Sequence, residues 1–236
     1  MADRYFVETP IDGPQARLIG TEAHHLIHVM RGKIGDQITL FDGLGAEYAC
    51  RVSQVGRSEV TLNVGSRQEV NRESSLPLTL AVALPKGDRR RWLVEKAVEL
   101  GVARLLPVVT QRTIVDRLNL ERMRAHIVEA AEQCGRTSLA GIEEPVKLDA
   151  LLKARDPART LYFADETGGE PAASAFKPGP ALILTGPEGG FTPGEATAIR
   201  ATPNARAISL GPRILRAETA ALAAVAAWMS AAGDWQ

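Results

Sequence analysis

Leu184-Thr185-Gly186-Pro187-Glu188-Gly189-Gly190-Phe191 and Ser209-Leu210-Gly211-Pro212-Arg213-Ile214-Leu215-Arg216-Ala217-Glu218-Thr219-Ala220 decide how this chain is read. Each segment follows a short apolar run, Ala181 to Leu184 and Ala205 to Leu210, and precedes a helix-like stretch. Two such strand–loop–helix turns place two glycine-bearing loops side by side at one sheet edge. In open parallel sheets that edge, beyond the carboxyl ends of the strands, is where ligands bind. Gly186, Gly189, Gly190 and Gly211 permit positive φ or close backbone approach, while Pro187, Pro193 and Pro212 stiffen the same loops. A phosphate loop of the GxxxxGK(S/T) type is a weak reading because no lysine follows these glycines, and a dinucleotide site is equally weak because the GxGxxG spacing is absent. Either loop alone reads equally well as a plain turn. Paired, and each ending in charged residues, they read as a binding site.

The segments upstream supply a sheet for these loops. Leu78–Leu84, Arg104–Val109, Thr160–Ala164, Ala181–Leu184 and Ala207–Leu210 read as strands, and Arg90–Leu100 has helical spacing. Leu120, Met123, Ile127, Ala131 and Cys134 follow at intervals of 3, 4, 4 and 3, the stripe of an amphipathic helix. Such alternation predicts a parallel sheet with helices on both faces. The last stretch, Ala217 to Ala232, is too short for a membrane span, which needs roughly 20 apolar residues. Ala220, Ala223, Ala224 and Ala227 instead give it a small-residue face suited to another helix.

Residues 1 to 70 read differently. Short runs at Arg4–Glu8, Gln37–Phe41, Tyr48–Val55 and Glu59–Val64, separated by glycine turns, predict a small β-barrel. One helix interrupts them from Thr21, a plausible N-cap, to Met30. Asn71 to Pro77, polar and closed by proline, reads as a linker. The expected division is therefore 1–72 and 77–236.

Composition is that of an ordinary globular chain, 45% apolar and 24% charged. Cys50 and Cys134 show no metal-ligand spacing and no disulfide framework. The opening residues contain no apolar signal-peptide core, so a cytoplasmic location is expected. The formal net charge is zero, yet residues 71–140 hold 12 basic against 8 acidic side chains. Lys86, Arg89, Arg90 and Arg91 crowd into six residues. Nucleic-acid affinity follows local phosphate neutralisation and not the whole-chain sum. The run equally suits a solvated face.

GPEGGF followed by LGPRILRAETA resembles the signature of the RsmE family of 16S ribosomal RNA uridine-N3 methyltransferases, in the SPOUT superfamily. His24-His25-Leu26-Ile27-His28-Val29-Met30-Arg31 is similar to that family's N-terminal helix, with Met30 where leucine is usual. Leu84-Pro85-Lys86-Gly87-Asp88, Trp92 to Gly101 and Glu132-Gln133-Cys134-Gly135-Arg136 resemble further family blocks, in order. The resemblance implies an α/β fold: a C-terminal SPOUT-type parallel sheet with a deep trefoil knot, plus a small N-terminal PUA-like barrel that grips RNA. It implies a homodimer, built in part by the last helix, and S-adenosylmethionine (AdoMet) as methyl donor. True knots are nearly absent from proteins, so the knot is an expectation of the resemblance alone.

By that resemblance Leu184, Thr185, Gly186, Gly190, Ser209, Leu210, Gly211, Ile214 and Leu215 cradle AdoMet, with Phe163 and Ala164 completing the pocket. Phe163, Leu210 and Leu215 suit ordinary core packing as well. N3 of uracil must lose its proton before it is methylated, and a protein contributes positioning and stabilisation of the developing anion. No metal is required. Arg216 offers a cationic fork for a phosphate or for the uracil oxygens, unless a carboxylate such as Glu218 takes it. Glu188 suits a hydrogen bond to AdoMet or a proton acceptor, and Glu218 suits a base or a helix cap. His24, His28 and Arg31 share the N-terminal helix and, with Lys86, Arg89 and Arg136, are the candidate RNA contacts. His24 and His28 alone lack the third ligand of a metal site. Two rival readings stay open: a ribose 2′-O methyltransferase of the same superfamily, and a non-catalytic RNA-binding module.

Overall fold

The structure, a computed structural model, describes residues 3–70, 77–114 and 117–235, so the expected linker lies outside the described residues except for Pro77. The chain divides into two compact units: Met1–Glu73 with Ala131–Leu139, and Ser74–Ala130 with Ala140–Gln236. The boundary read from sequence treated the second part as continuous. Ala131–Leu139 instead joins the N-terminal unit.

The N-terminal unit contains β1 (Arg4–Phe6), β2 (Gln15–Ile19), α1 (Gly20–His24), β3 (Gln37–Phe41), β4 (Ala46–Val55) and β5 (Glu59–Glu69). Its five strands lie in the order β1-β3-β4-β5-β2, antiparallel except for β1 beside β3. Alternation builds the core: Ala46, Tyr48, Cys50 and Val52 of β4 point inward with Ile38, Leu40, Val60 and Leu62. β2 was not read as a strand from its sequence, yet Leu18 joins the same cluster.

The helix begins earlier than expected, because Ile19, extended at φ −134°, is the N-cap and Thr21 lies inside the first turn. It also changes hand-hold midway. His25–Val29 continues as a π-helical turn, and the chain leaves through Arg31 in left-handed backbone at φ 55°.

Arg4 ties the returning segment to β1. Its guanidinium pairs with Glu47 at 2.8 Å, donates to the carbonyls of Ala131, Glu132 and Arg136, and lies 4.5 Å from the centre of the Phe41 ring.

The C-terminal unit holds β6 (Leu78–Val82), α2 (Asp88–Glu99), β7 (Arg104–Val109), α3 (Leu120–Cys134, whose end belongs to the first unit), β8 (Gly141–Ile142) and β9 (Val146–Lys147). There follow α4 (Leu148–Ala154), β10 (Thr160–Ala164), β11 (Glu170–Pro171), α5 (Ala172–Ala175), β12 (Ala181–Thr185), α6 (Pro193–Arg200), β13 (Ala205–Ser209) and α7 (Ala217–Ala232). The sheet order is β11-β13-β10-β12-β6-β7-β8, with β9 also on β7, and every pairing is parallel. Both faces are covered, as a parallel sheet requires. Leu161, Phe163, Leu182, Leu184 and Ile199 form one cluster. Intervening residues such as Tyr162 and Ile183 are equally buried, as are Ala221, Ala224, Val225 and Trp228 of α7. Of the expected small-residue face, Ala224 belongs to the core, while Ala220, Ala223 and Ala227 remain half-buried. Among the described residues no helix is long and apolar enough to cross a membrane.

Candidate active site

β13, β10 and β12 are neighbours in the sheet, so their carboxyl ends release three loops at one edge. These loops enclose a cavity of about 330 Å³, within the size range of ligand pockets. The two glycine loops read from sequence supply two walls. The third, Asp165 to Gly168 after β10, carried no motif and was missed.

The glycines are there for different reasons. A Cβ on Gly186 would meet the Phe191 ring at 3.3 Å, so this glycine lets Phe191 close over its own loop. Gly190 has φ +67°, and a Cβ there would lie 2.7 Å from Oε1 of Glu166. Gly211 has φ +102° with open space where a side chain would be, so its conformation alone demands glycine.

The first loop is braced from β7's end. Arg112 donates to the carbonyl of Gly189, and the Gln111 amide donates to Oε1 of Glu195 at 2.7 Å. Glu195 also forms a capping box with Thr192 at the start of α6. The third loop turns on Asp165, which accepts from the amide and hydroxyl of Thr167 and pairs with Arg200. Burial pushes the Asp165 carboxyl upward, but the Thr167 hydrogen bonds and the Arg200 guanidinium outweigh it and hold it below the usual carboxylate range.

The expected cofactor residues divide cleanly. Ala164, Thr185, Gly186, Glu188, Gly190, Ser209, Leu210, Gly211, Ile214 and Leu215 line the cavity. Phe163 and Leu184 do not. Both are buried in the sheet core beneath it, because alternation along β10 and β12 turns their side chains away from the mouth. Thr185 places a buried hydroxyl at the wall with no hydrogen-bond partner among the described residues.

Of the expected catalytic residues, Arg216 is the exposed N-cap of α7 and lies off the cavity lining. Glu188 lines the cavity. Glu218 is only 6% exposed, and its Oε2 has no hydrogen-bond partner among the described residues. Arg89 joins the two acids: its Nη1 lies 3.3 Å from Oε1 of Glu188 and 3.8 Å from Oε1 of Glu218. That three-residue cluster was not legible, since 99 residues separate Arg89 from Glu188.

The expected RNA contacts fall in both units. In the N-terminal unit, His24, His28 and Arg31 are exposed, and the two imidazoles meet at a 47° tilt with centroids 4.6 Å apart. Tyr5 instead engages His25 at 3.2 Å. Lys86 and Arg89 are exposed in the C-terminal unit. Arg136 is a correction. It is 6% exposed, drawn inward where Arg4 binds its carbonyl, and is not on an open RNA-facing surface. Among the described residues, Glu95, His126 and Glu129 bring three potential metal-ligand atoms within 4.8 Å, but Arg91 already pairs with both carboxylates.

Residues 72–229 match the RNA methyltransferase domain family, and residues 18–65 match the RNA methyltransferase PUA domain family. The chain belongs to the RNA methyltransferase family. Within it, the chain is 31% identical to ribosomal RNA small subunit methyltransferase E of Rickettsia conorii, over 86% of this chain and 84% of that one. It is 32% identical to the Bacillus subtilis protein of the same name, over 95% and 94%. Ribosomal RNA small subunit methyltransferase E from Neisseria gonorrhoeae, solved bound to S-adenosyl methionine, superposes with a TM-score of 0.93 at 28% identity and full coverage of both chains. A Legionella pneumophila protein solved with bound SAM gives 0.88 at 31% identity, covering 99% of each chain.

Proposed function

We propose that this chain transfers the methyl group of AdoMet to N3 of one uridine in 16S rRNA of the small ribosomal subunit. The observation that carries the reading is the cavity formed by the GPEGGF and LGPRILRAET loops in a chain of the RNA methyltransferase family. Relatives named for the small ribosomal subunit support the choice of RNA. The reading carries with it the trefoil threading of these loops, a homodimer through the half-buried alanines of α7, and a cytoplasmic setting.

The residues present fit AdoMet. The unpartnered Thr185 hydroxyl and the loop backbone suit a nucleobase, and Leu210, Ile214 and Leu215 supply apolar walls. Asp165, Glu166 and Glu188 outnumber Arg213 among the charged lining residues, an acidic excess that favours a cationic sulfonium and amino group. AdoMet when bound supplies an activated methyl. The protein's own part is to hold the uracil ring in line with it. Arg216, exposed at the N-terminus of α7, grips an RNA phosphate through its planar fork. Glu188, on the cavity wall, orients the ligand's cationic end.

The test is incubation with labelled AdoMet and small subunits from cells lacking this gene, followed by digestion to nucleosides. Label in 3-methyluridine is expected. Label in a 2′-O-methyl nucleoside would overturn the base position, and AdoMet binding without any transfer to subunits or naked 16S rRNA would favour a non-catalytic RNA-binding module.

A further inference from the structure

We infer that Arg89 is the catalytic residue that stabilises the negative charge arising on the target uracil, and that Glu218 is the positioning residue that aims it. The inference rests on the methyl-transfer reading above.

Arg89 stands in the first turn of α2, after Gly87 turns the chain at φ +62°. One guanidinium nitrogen, Nη1, faces both Glu188 and Glu218, and Nε and Nη2 engage no other group among the described residues. The side chain is 45% exposed. It is therefore anchored on one side and open on the other, beside a wall residue of the cavity. Glu218 has the opposite character. A buried carboxylate with an oxygen lacking any partner is unfavourable, and such a group is retained where it holds something in place. Glu188 and Ala217, the residue before Glu218 on α7, line the cavity, while Arg89 and Glu218 lie just off its lining, so Glu218 holds Arg89 beside the same site.

The charges around Arg89 are few. Glu188 and Glu218 face it directly, while Asp88, Arg90 and Lys86 are its neighbours along the chain. Arg90 is turned onto the Pro85 carbonyl, Arg91 onto Glu95 and Glu129, and Arg112 onto Gly189. Arg216 caps α7.

In the reaction the N3–H bond breaks and its proton passes to solvent water. The N3 lone pair then forms the bond to the sulfonium methyl, and the carbon–sulfur bond breaks with its electron pair going to sulfur. Before transfer the negative charge is shared by N3, O2 and O4. Arg89 donates two adjacent N–H groups to one of the two oxygens, from the side away from N3, so the in-plane N3 lone pair stays open to the methyl; a lysine ammonium lacks that planar fork. Removing one such oriented donor costs about 10²–10³-fold in kcat.

The experiment compares steady-state kinetics of wild-type, Arg89→Gln, Arg89→Lys, Glu218→Gln and Arg91→Gln proteins on small subunits, with AdoMet affinity by calorimetry. Arg89→Gln should lose about 10²–10³-fold in kcat while binding AdoMet normally. Its rate should climb to higher pH than the wild type before levelling, because free N3 must then ionise unaided. RNA carrying 5-fluorouridine, whose N3–H is more acidic, should recover much of the loss. Glu218→Gln should shift the pH profile in the same direction, and Arg91→Gln should change nothing. An active wild type with Arg89→Gln equally fast, or slowed with no recovery on 5-fluorouridine RNA, overturns the inference alone. Absence of 3-methyluridine with the wild type overturns the methyl-transfer reading and the inference with it.

Discussion

The ring of Phe191 lies 3.3 Å from the place a Cβ would occupy on Gly186. Two residues of one loop thus share a single space, and both line the cavity. Gly186→Val should push Phe191 out of its seat and weaken AdoMet binding at least about tenfold, and Phe191→Ala combined with it should restore part of the loss, as coupled neighbours do. Gly211→Val acts differently, through backbone strain at φ +102°. Isothermal calorimetry on the three proteins separates the two causes, and unchanged affinity in both single variants refutes the loop assignment.

Glu195 is buried and receives the amides of both Gln111 and Thr192. Replacing it by alanine leaves two donors without a partner and removes the capping box. The expected loss is about 2 kcal/mol, read as a lower urea midpoint at unchanged slope.

Arg216→Ala tests the phosphate contact. Because Arg216 is exposed and off the cavity lining, AdoMet affinity should stay within about twofold, while KM for the RNA rises several-fold as one phosphate contact is lost. The effect should shrink as salt is raised.

Asp165 gives a prediction in pH. Its carboxyl is held low by the Thr167 hydrogen bonds and by Arg200 against the upward push of burial, so its contribution is full above the unfolded-state value of about 3.9. That contribution fades as pH falls through the lower folded-state value. Arg200→Ala should therefore cost roughly 0.5–1 kcal/mol near pH 7, a modest figure because Arg200 is half exposed. Urea unfolding between pH 7 and pH 3 should show the difference between the two proteins closing at the acid end. A gap that stays constant would place the effect elsewhere.

Arg4→Ala removes a nearly buried ion pair with Glu47 and three carbonyl contacts. Roughly 3–5 kcal/mol should be lost, and hydrogen exchange should quicken first at β1 and at residues 131–136.

What the sequence disclosed follows from the range of each signal. The glycine loops after β12 and β13 were legible because turn chemistry is local: strand, glycine, proline and helix lie within a dozen residues. The stripe of α3 was legible for the same reason. The loop after β10 was not, since Asp165 and Thr167 gain meaning only when parallel pairing sets β10 between β12 and β13. Thr21 has the right chemistry for a cap, but pairing of β2 with β5 carries the extended backbone as far as Ile19 and starts the helix there. Arg136 looked like a surface cation because nothing nearby in sequence announces that Arg4, 132 residues earlier, will claim its carbonyl. Arg89 and Glu218 belong to the same class of long-range fact.

Residues 131–139 count among the neighbours of β1 although Ser74–Ala130 of the second unit come between them in sequence. A gene segment ending near residue 72 would carry all five strands yet lack the carbonyls that satisfy Arg4 and the Glu132 carboxylate that receives the Phe6 amide. The β-domain is thus not a cassette to be cut out and spliced elsewhere. Duplication or shuffling at the apparent seam would yield an unfinished fold, and the two units are bound to be inherited together.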